Sequence, residues 1–157
     1  MNTQTKSGTD QPSGSSLVAS LQAIARKLNA IPYSVIALIA RAATFSVFFR
    51  SGTQKLSDWN STLLLFQNEY HVPLLSPNIA AYIAASLELG ASTLVLIGLC
   101  TRVSVTALLG MTAVIEIFVY PMAWPDHIQW LAFMFILLAR GPGKISLDAL
   151  LFGKRIK

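Results

Sequence analysis

Residues 77–120 read PNIAAYIAASLELGASTLVLIGLCTRVSVTALLGMTAVIEIFVY, and within them only Glu88, Arg102 and Glu116 carry charge. Two apolar runs, from about Pro77 to Leu99 and from Val103 to Tyr120, each approach the ~20 residues that cross a bilayer as a helix. Ser76-Pro77 supplies a capping hydroxyl and a first-turn proline, Gly98 a stop, and the link around Arg102 is tight, so the two form an antiparallel helical hairpin.

Outward from that hairpin, a similar run precedes it, Ile31 to Phe49, and a shorter one follows, Trp124 to Ala139, opened by Pro125-Asp126 and closed by Gly141-Pro142-Gly143. The fourth run can tilt less, thin the bilayer, or be anchored by Trp124 and Trp130. The fold expected is all-α: an integral membrane four-helix bundle with N- and C-terminal amphipathic surface helices. Residues 1–16 are polar and read as a disordered cytoplasmic tail, 17–31 as an amphipathic surface helix, 32–152 as the membrane domain with a short helix from Ile145 to Phe152, and 153–157 as a basic tail. The first apolar residues come too late and are interrupted too soon, by Gln22, Arg26 and Lys27, for a cleavable signal.

Composition agrees. The chain is 54% hydrophobic and 12% charged, about half the charge of an ordinary soluble domain, so its solvent is lipid. Its net charge of +5 sits at the ends of apolar runs and forms no patch interleaved with aromatics, which argues against nucleic acid as a partner. Lys6, Arg26, Lys27, Arg102, Arg140, Lys144, Lys154, Arg155 and Lys157 fall on one side and only Arg50 and Lys55 on the other. That bias puts both termini in the cytoplasm of an inner (plasma) membrane. Cys100, the single cysteine, excludes an intrachain disulfide and a CxxC pair.

Charges inside apolar spans cost on the order of 3 kcal/mol each on insertion scales and need partners. Arg41 and Glu88 lie near the middle of antiparallel spans and are expected to pair at the midplane, either as an ion pair fixing register or on a proton or substrate pathway. Ala81, Ala84, Ala85, Ala91 and Ser92 share Glu88's face and mark a close helix contact. Between the first two spans, residues 51–77 carry Trp59, Leu63, Phe66 and Tyr70 at helical spacing after Ser57-Asp58, which predicts a short interfacial helix over the outer mouth. Beneath it Lys55, Glu116 and His127 are expected to surround a polar pocket, or to form a solvated rim. If the first helix continues past Phe49, Lys55 shares a face with Arg41, Thr44, Phe45, Phe48 and Gly52, and Arg50 points away. His71, His127, Glu116, Met111 and Met122 show no HxxxH, HxxE or MxxxM spacing, so no metal ligand set is assigned.

The order of Arg41, Phe48-Phe49-Arg50-Ser51-Gly52, Lys55, Glu88-Leu89-Gly90, Gly98-Leu99-Cys100-Thr101-Arg102, Gly141-Pro142-Gly143 and Ser146-Leu147-Asp148 resembles the DoxX family of small four-helix membrane proteins. The resemblance covers about residues 33–152 and implies Arg41, Arg50, Gly52, Lys55, Glu88, Arg102 and Asp148 as pattern positions. Arg102 also reads as a topology anchor and Asp148 as a structural cap. Phe118 to His127 looks like the subgroup linked to maturation of copper-binding ribosomal peptides. The implied role is an inner-membrane accessory of a copper-peptide or thiol/redox stress system, working with other proteins and possible as an oligomer, more than a self-contained enzyme. The alternatives are a subunit of a thiosulfate:quinone-type oxidoreductase, with a cleft lined by Tyr33, Phe45, Phe48 or Trp59, and an oligomeric small-molecule transporter. No cofactor is assigned from the sequence itself; quinone or copper is what the redox or copper-peptide reading would imply.

Overall fold

The computed structural model of the chain describes residues 14–70 and 72–153. Lys6, His71, Lys154, Arg155 and Lys157, and most of both expected tails, lie outside them. The chain divides into two units, Met1–Pro32 and Tyr33–Lys157. The first contains α1, Gly14–Asn29, with Arg26 and Lys27 in its last turn. It starts earlier than the expected Leu17, and Leu17, Leu21, Ile24 and Leu28 are exposed.

The second unit contains α2 (Tyr33–Ser57), α3 (Trp59–Asn68), α4 (Pro77–Ile97), α5 (Thr101–Val119), α6 (Trp124–Arg140) and α7 (Leu147–Phe152). Among the described residues α2, α4 and α5 are long and apolar enough to cross a membrane; α6 has 17 residues. Helix α2 packs against both α4 and α6, and so does α5. Their shared core is Ala37, Ala40 and Phe48, Ala91 and Val95, Val105 and Leu108, Met134 and Leu137. Alanines at these contacts let backbones approach closely, the packing mode that serves where lipid gives no hydrophobic drive between helices. At Gly52 a Cβ would lie 2.7 Å from Leu89 Cγ and 3.1 Å from Glu88 Cβ, so only glycine fits the α2–α4 crossing. The small-residue face of α4 is buried as read, with Ala84 half-buried.

Two helices are interrupted by π-helical turns, α4 at Leu87–Ala91 and α5 at Ile115–Val119. Neither turn has a signature in composition or spacing. Helix ends follow local chemistry. Gly98 takes φ 71° at the end of α4, Gly141 ends α6, and Asp58 accepts from Ser61 N at 3.0 Å to cap α3. Ser76 precedes Pro77 but makes no side-chain cap bond, so the expected hydroxyl cap on α4 is corrected. The C-terminal helix starts at Leu147, because Ser146 Oγ accepts from Ala149 N at 3.2 Å. Asp148 instead caps another helix: its carboxylate accepts from Cys100 N (2.8 Å) and Thr101 N (2.9 Å) at the start of α5. The unit thus has a turn end, where residues 141–148 close on the Gly98–Thr101 turn, and a loop end, where α3 lies on α4.

Candidate functional site

At the loop end α3 presents Phe66, the residues just after it Tyr70, and α4 Ala80, Ala84 and Glu88, to a cavity of about 490 Å³. Helix α2 adds Phe48, Ser51 and Lys55; α5 adds Gly110 and Met111; α6 adds His127 and Trp130. The walls are mostly apolar, with a few polar groups from separate helices, the usual make-up of a small-molecule site.

Glu88, 2% exposed, is the most buried acid here. Its Oε1 accepts from Lys55 Nζ at 2.8 Å and from Ser51 Oγ at 3.1 Å, and Lys55 Nζ also donates to Ser51 Oγ at 2.9 Å. Glu88 Oε2 has no partner, and an orphaned buried carboxylate oxygen is costly unless something donates to it. Glu88 stands in the π-turn of α4, whose extra residue re-aims side chains; such turns recur at functional sites. Glu116 stands at the same place in the π-turn of α5. It hydrogen-bonds His127 Nδ1, which fixes the ring, while Nε2 makes no bond among the described residues. His127 also stacks obliquely on Trp130, centroids 4.7 Å apart.

Over the cavity Tyr120 Oη donates to Tyr70 Oη at 3.0 Å, and the two rings meet edge to face. Burial, reinforced by that hydrogen bond, holds the Tyr70 phenol well above its ordinary range, so it stays protonated. A second hollow of about 370 Å³ adjoins across Phe66, Tyr70, Val72 and Leu75.

The midplane pairing of Arg41 with Glu88 is corrected. Gly52 faces Glu88 and Arg41 faces Gly98, a register that separates the two charges by eleven residues of α2, about 16 Å. Arg41 instead donates through Nη1 to Pro142 O (3.2 Å) and Ile145 O (2.5 Å) at the turn end. Lys55 and His127 both border the cavity, whereas Glu116 does not and reaches it only through His127. Arg50, expected to point away, is exposed but also borders the cavity. Of the four aromatic residues proposed for a cleft only Phe48 lines it. Tyr33 lies at the turn end under Arg140, Phe45 stacks on Phe49, and Trp59 meets Tyr82. Phe66, Tyr70, Tyr120 and Trp130 take their places. Arg102 reaches Ala139 O at 3.5 Å. Among the described residues no three of His, Cys, Asp and Glu come together as a metal site.

Three apolar helices of membrane length, grouped around a partly open, ligand-sized cavity, define a multi-pass membrane protein. The family model DoxX matches residues 36–121, more than half of the chain, and the chain belongs to the DoxX family. That match takes in Arg41, Arg50, Gly52, Lys55, Glu88, Arg102 and Glu116 and ends before His127 and Asp148. No curated protein and no solved structure matches the chain.

Proposed function

We propose that this chain is a membrane-embedded binding subunit for a quinone-class ligand, an apolar molecule with a hydrogen-bonding head, acting beside redox partners. The observation that carries the reading is the cavity: about 490 Å³ of mostly apolar wall between membrane-length helices, with Lys55, Glu88, Tyr70 and His127 converging on it from four helices or their ends. Lys55, Tyr70 and His127 would hold the ligand's oxygens, and Glu88 Oε2 would accept from a hydroxyl. A quinone supplies two-electron redox chemistry; the protein supplies position and dry walls. The donor set offers less to copper, because His127 spends Nδ1 on Glu116 and, among the described residues, no third His, Cys, Asp or Glu joins them.

The same reading takes α6 as a fourth span, closing a four-helix bundle. Its 17 residues are at the short limit for spanning. Support comes from the chain's path: it leaves α5 at the loop end, and by residues 142–148 it is bonded to Arg41 and Cys100 at the turn end. The basic turn end is taken as cytoplasmic in an inner membrane, with α7 at that surface, and α1 is taken by itself as an amphipathic surface helix.

Trp130 lines the cavity, so quinone binding should quench it. Titration of purified protein with a short-chain quinone should give saturable quenching that the Trp130→Phe variant loses. Quenching that rises linearly without saturation, or is unchanged in the variant, would sink the reading.

A further inference from the structure

Between residues 33 and 153 the six Lys and Arg balance the six Asp and Glu, yet the two signs are segregated. Asp58, Glu69, Glu88, Glu116 and Asp126 belong to the loop half with only Arg50 and Lys55, while Arg41, Arg102, Arg140 and Lys144 share the turn end with Asp148 alone. That one acid is occupied, since its two oxygens accept from Cys100 N and Thr101 N. Arg41 is buried and gives its Nη1 protons to backbone carbonyls. Arg102, Arg140 and Lys144 are exposed, and no ion pair neutralises them among the described residues.

Two of these cations converge. The Arg140 guanidinium lies 4.5 Å over the Tyr33 ring, and Tyr33 Oη is pinned by donating to Gly141 O at 2.6 Å. Arg102 crosses from α5 to α6, its Nη2 3.5 Å from Ala139 O and 3.9 Å from where a Cβ on Gly141 would sit. Both guanidiniums act electrostatically on the Tyr33 hydroxyl. Among the described residues Arg140 makes no hydrogen bond and Arg102 one long one, so most of their ten N–H donors are unspent there. Like charges held together at the rim of a low-dielectric region repel unless an anion sits between them. The stack on Tyr33 and the contact with Ala139 hold each arginine in place without using that capacity. The level is set by the helices: α2 and α5 begin here and α6 ends. Just below, Val103 and Ile136 are exposed apolar side chains on the two helices that Arg102 bridges.

We propose that Arg102 and Arg140, held on the Tyr33–Gly141 strip, form a binding site for the phosphate of an anionic phospholipid, whose acyl chains lie along Val103 and Ile136. Planar guanidinium forks suit a phosphate's paired oxygens, and basic recesses between membrane helices bind such headgroups. The site is at the end opposite the cavity and does not depend on what the cavity binds.

The test is native mass spectrometry of the full chain released from micelles that contain phosphatidylglycerol and phosphatidylcholine with the same acyl chains. The unaltered protein should retain phosphatidylglycerol roughly tenfold or more over phosphatidylcholine, and the Arg102→Gln/Arg140→Gln variant should lose that preference. Arg50→Gln, an exposed arginine removed from the other end, should keep it. The Arg102→Lys/Arg140→Lys variant, which keeps charge but not the fork, should fall between, and it serves if the glutamine variant fails to fold. Equal retention of both lipids by the unaltered protein, or undiminished preference in the glutamine and lysine variants, would overturn the proposal. Displacement of phosphatidylglycerol by millimolar inorganic phosphate would overturn the lipid as source and leave a free-anion site.

Discussion

A carboxylate buried inside an apolar helix stays charged only if donors meet it, and Glu88 has Lys55 Nζ and Ser51 Oγ on a single oxygen. The two partners are unequal. Glu88 is 2% exposed and Lys55 18%, so the lysine can extend its ammonium toward water when its partner is gone, while the glutamate cannot. Lys55→Met should therefore cost about 3 kcal/mol, near the lower end for stranding one member of a buried pair. Glu88→Leu should cost less, and the double variant should recover most of the lysine variant's loss. Thermal unfolding in one detergent checks this; equal single losses that simply add would show that the pair is not coupled. The sequence pointed to Glu88 and Lys55 separately but not to their pairing. Placing Glu88 by its depth in a span matched it to the only other mid-span charge, Arg41. Register decides instead, and the clue was Gly52: a glycine three residues before Lys55 marks where α4 comes closest.

Helices were legible where their ends carry capping chemistry and obscure where they do not. Gly98, Gly141, Pro77 and Asp58 mark boundaries that the structure keeps. Helix α2, by contrast, runs to Ser57, eight residues past the last residue of its apolar run, because Arg50 to Ser57 contains no breaker beyond Gly52. Polar composition there reads as loop, though it only marks where the helix leaves the apolar zone. The π-turns at Glu88 and Glu116 have no compositional signature, and each carries an acid. Helix α3 gives a pH prediction. Asp58 accepts from Ser61 N and Ser61 Oγ, and those bonds hold its carboxyl below the usual range. Its lowered pKa means that the cap's contribution is present above the ordinary carboxylate value and is lost as pH falls through the lowered one. Amide protection factors for Ser61 and Thr62 should thus drop between neutral pH and pH about 3. Asp58→Asn should abolish most of that pH dependence while keeping the helix, since asparagine also caps. An identical acid-induced drop in the asparagine variant would assign the effect to other carboxylates.

At the level of the whole molecule, charge segregation and chain path bear on the proposed fourth crossing of the bilayer. Three helices have the length and hydropathy expected of spans, and α6, with 17 residues, is at the short end of what crosses a bilayer. Hydropathy alone would therefore leave residues 141–153 on the same side as α3. The turn end argues otherwise: Arg41 holds Pro142 O and Ile145 O, and Asp148 N donates to Gly98 O at 2.8 Å. Residues 142–148 thus lie beside the turn between α4 and α5, which is what the proposed crossing by α6 would bring about. Cys100 is exposed in that turn and is the only cysteine in the chain, so the protein carries its own topology reporter. A membrane-impermeant maleimide should label Cys100 in inverted vesicles and spare it in right-side-out ones. In a Cys100→Ser background, Ile145→Cys should label from the same side as Cys100 did, and Ser57→Cys from the opposite side. If Ile145→Cys instead labels with Ser57→Cys, α6 does not span, and the chain crosses three times with its C-terminal residues on the loop side. If Cys100 labels only in right-side-out vesicles, the orientation is reversed and Lys and Arg did not set it, because the basic turn end would then face outward.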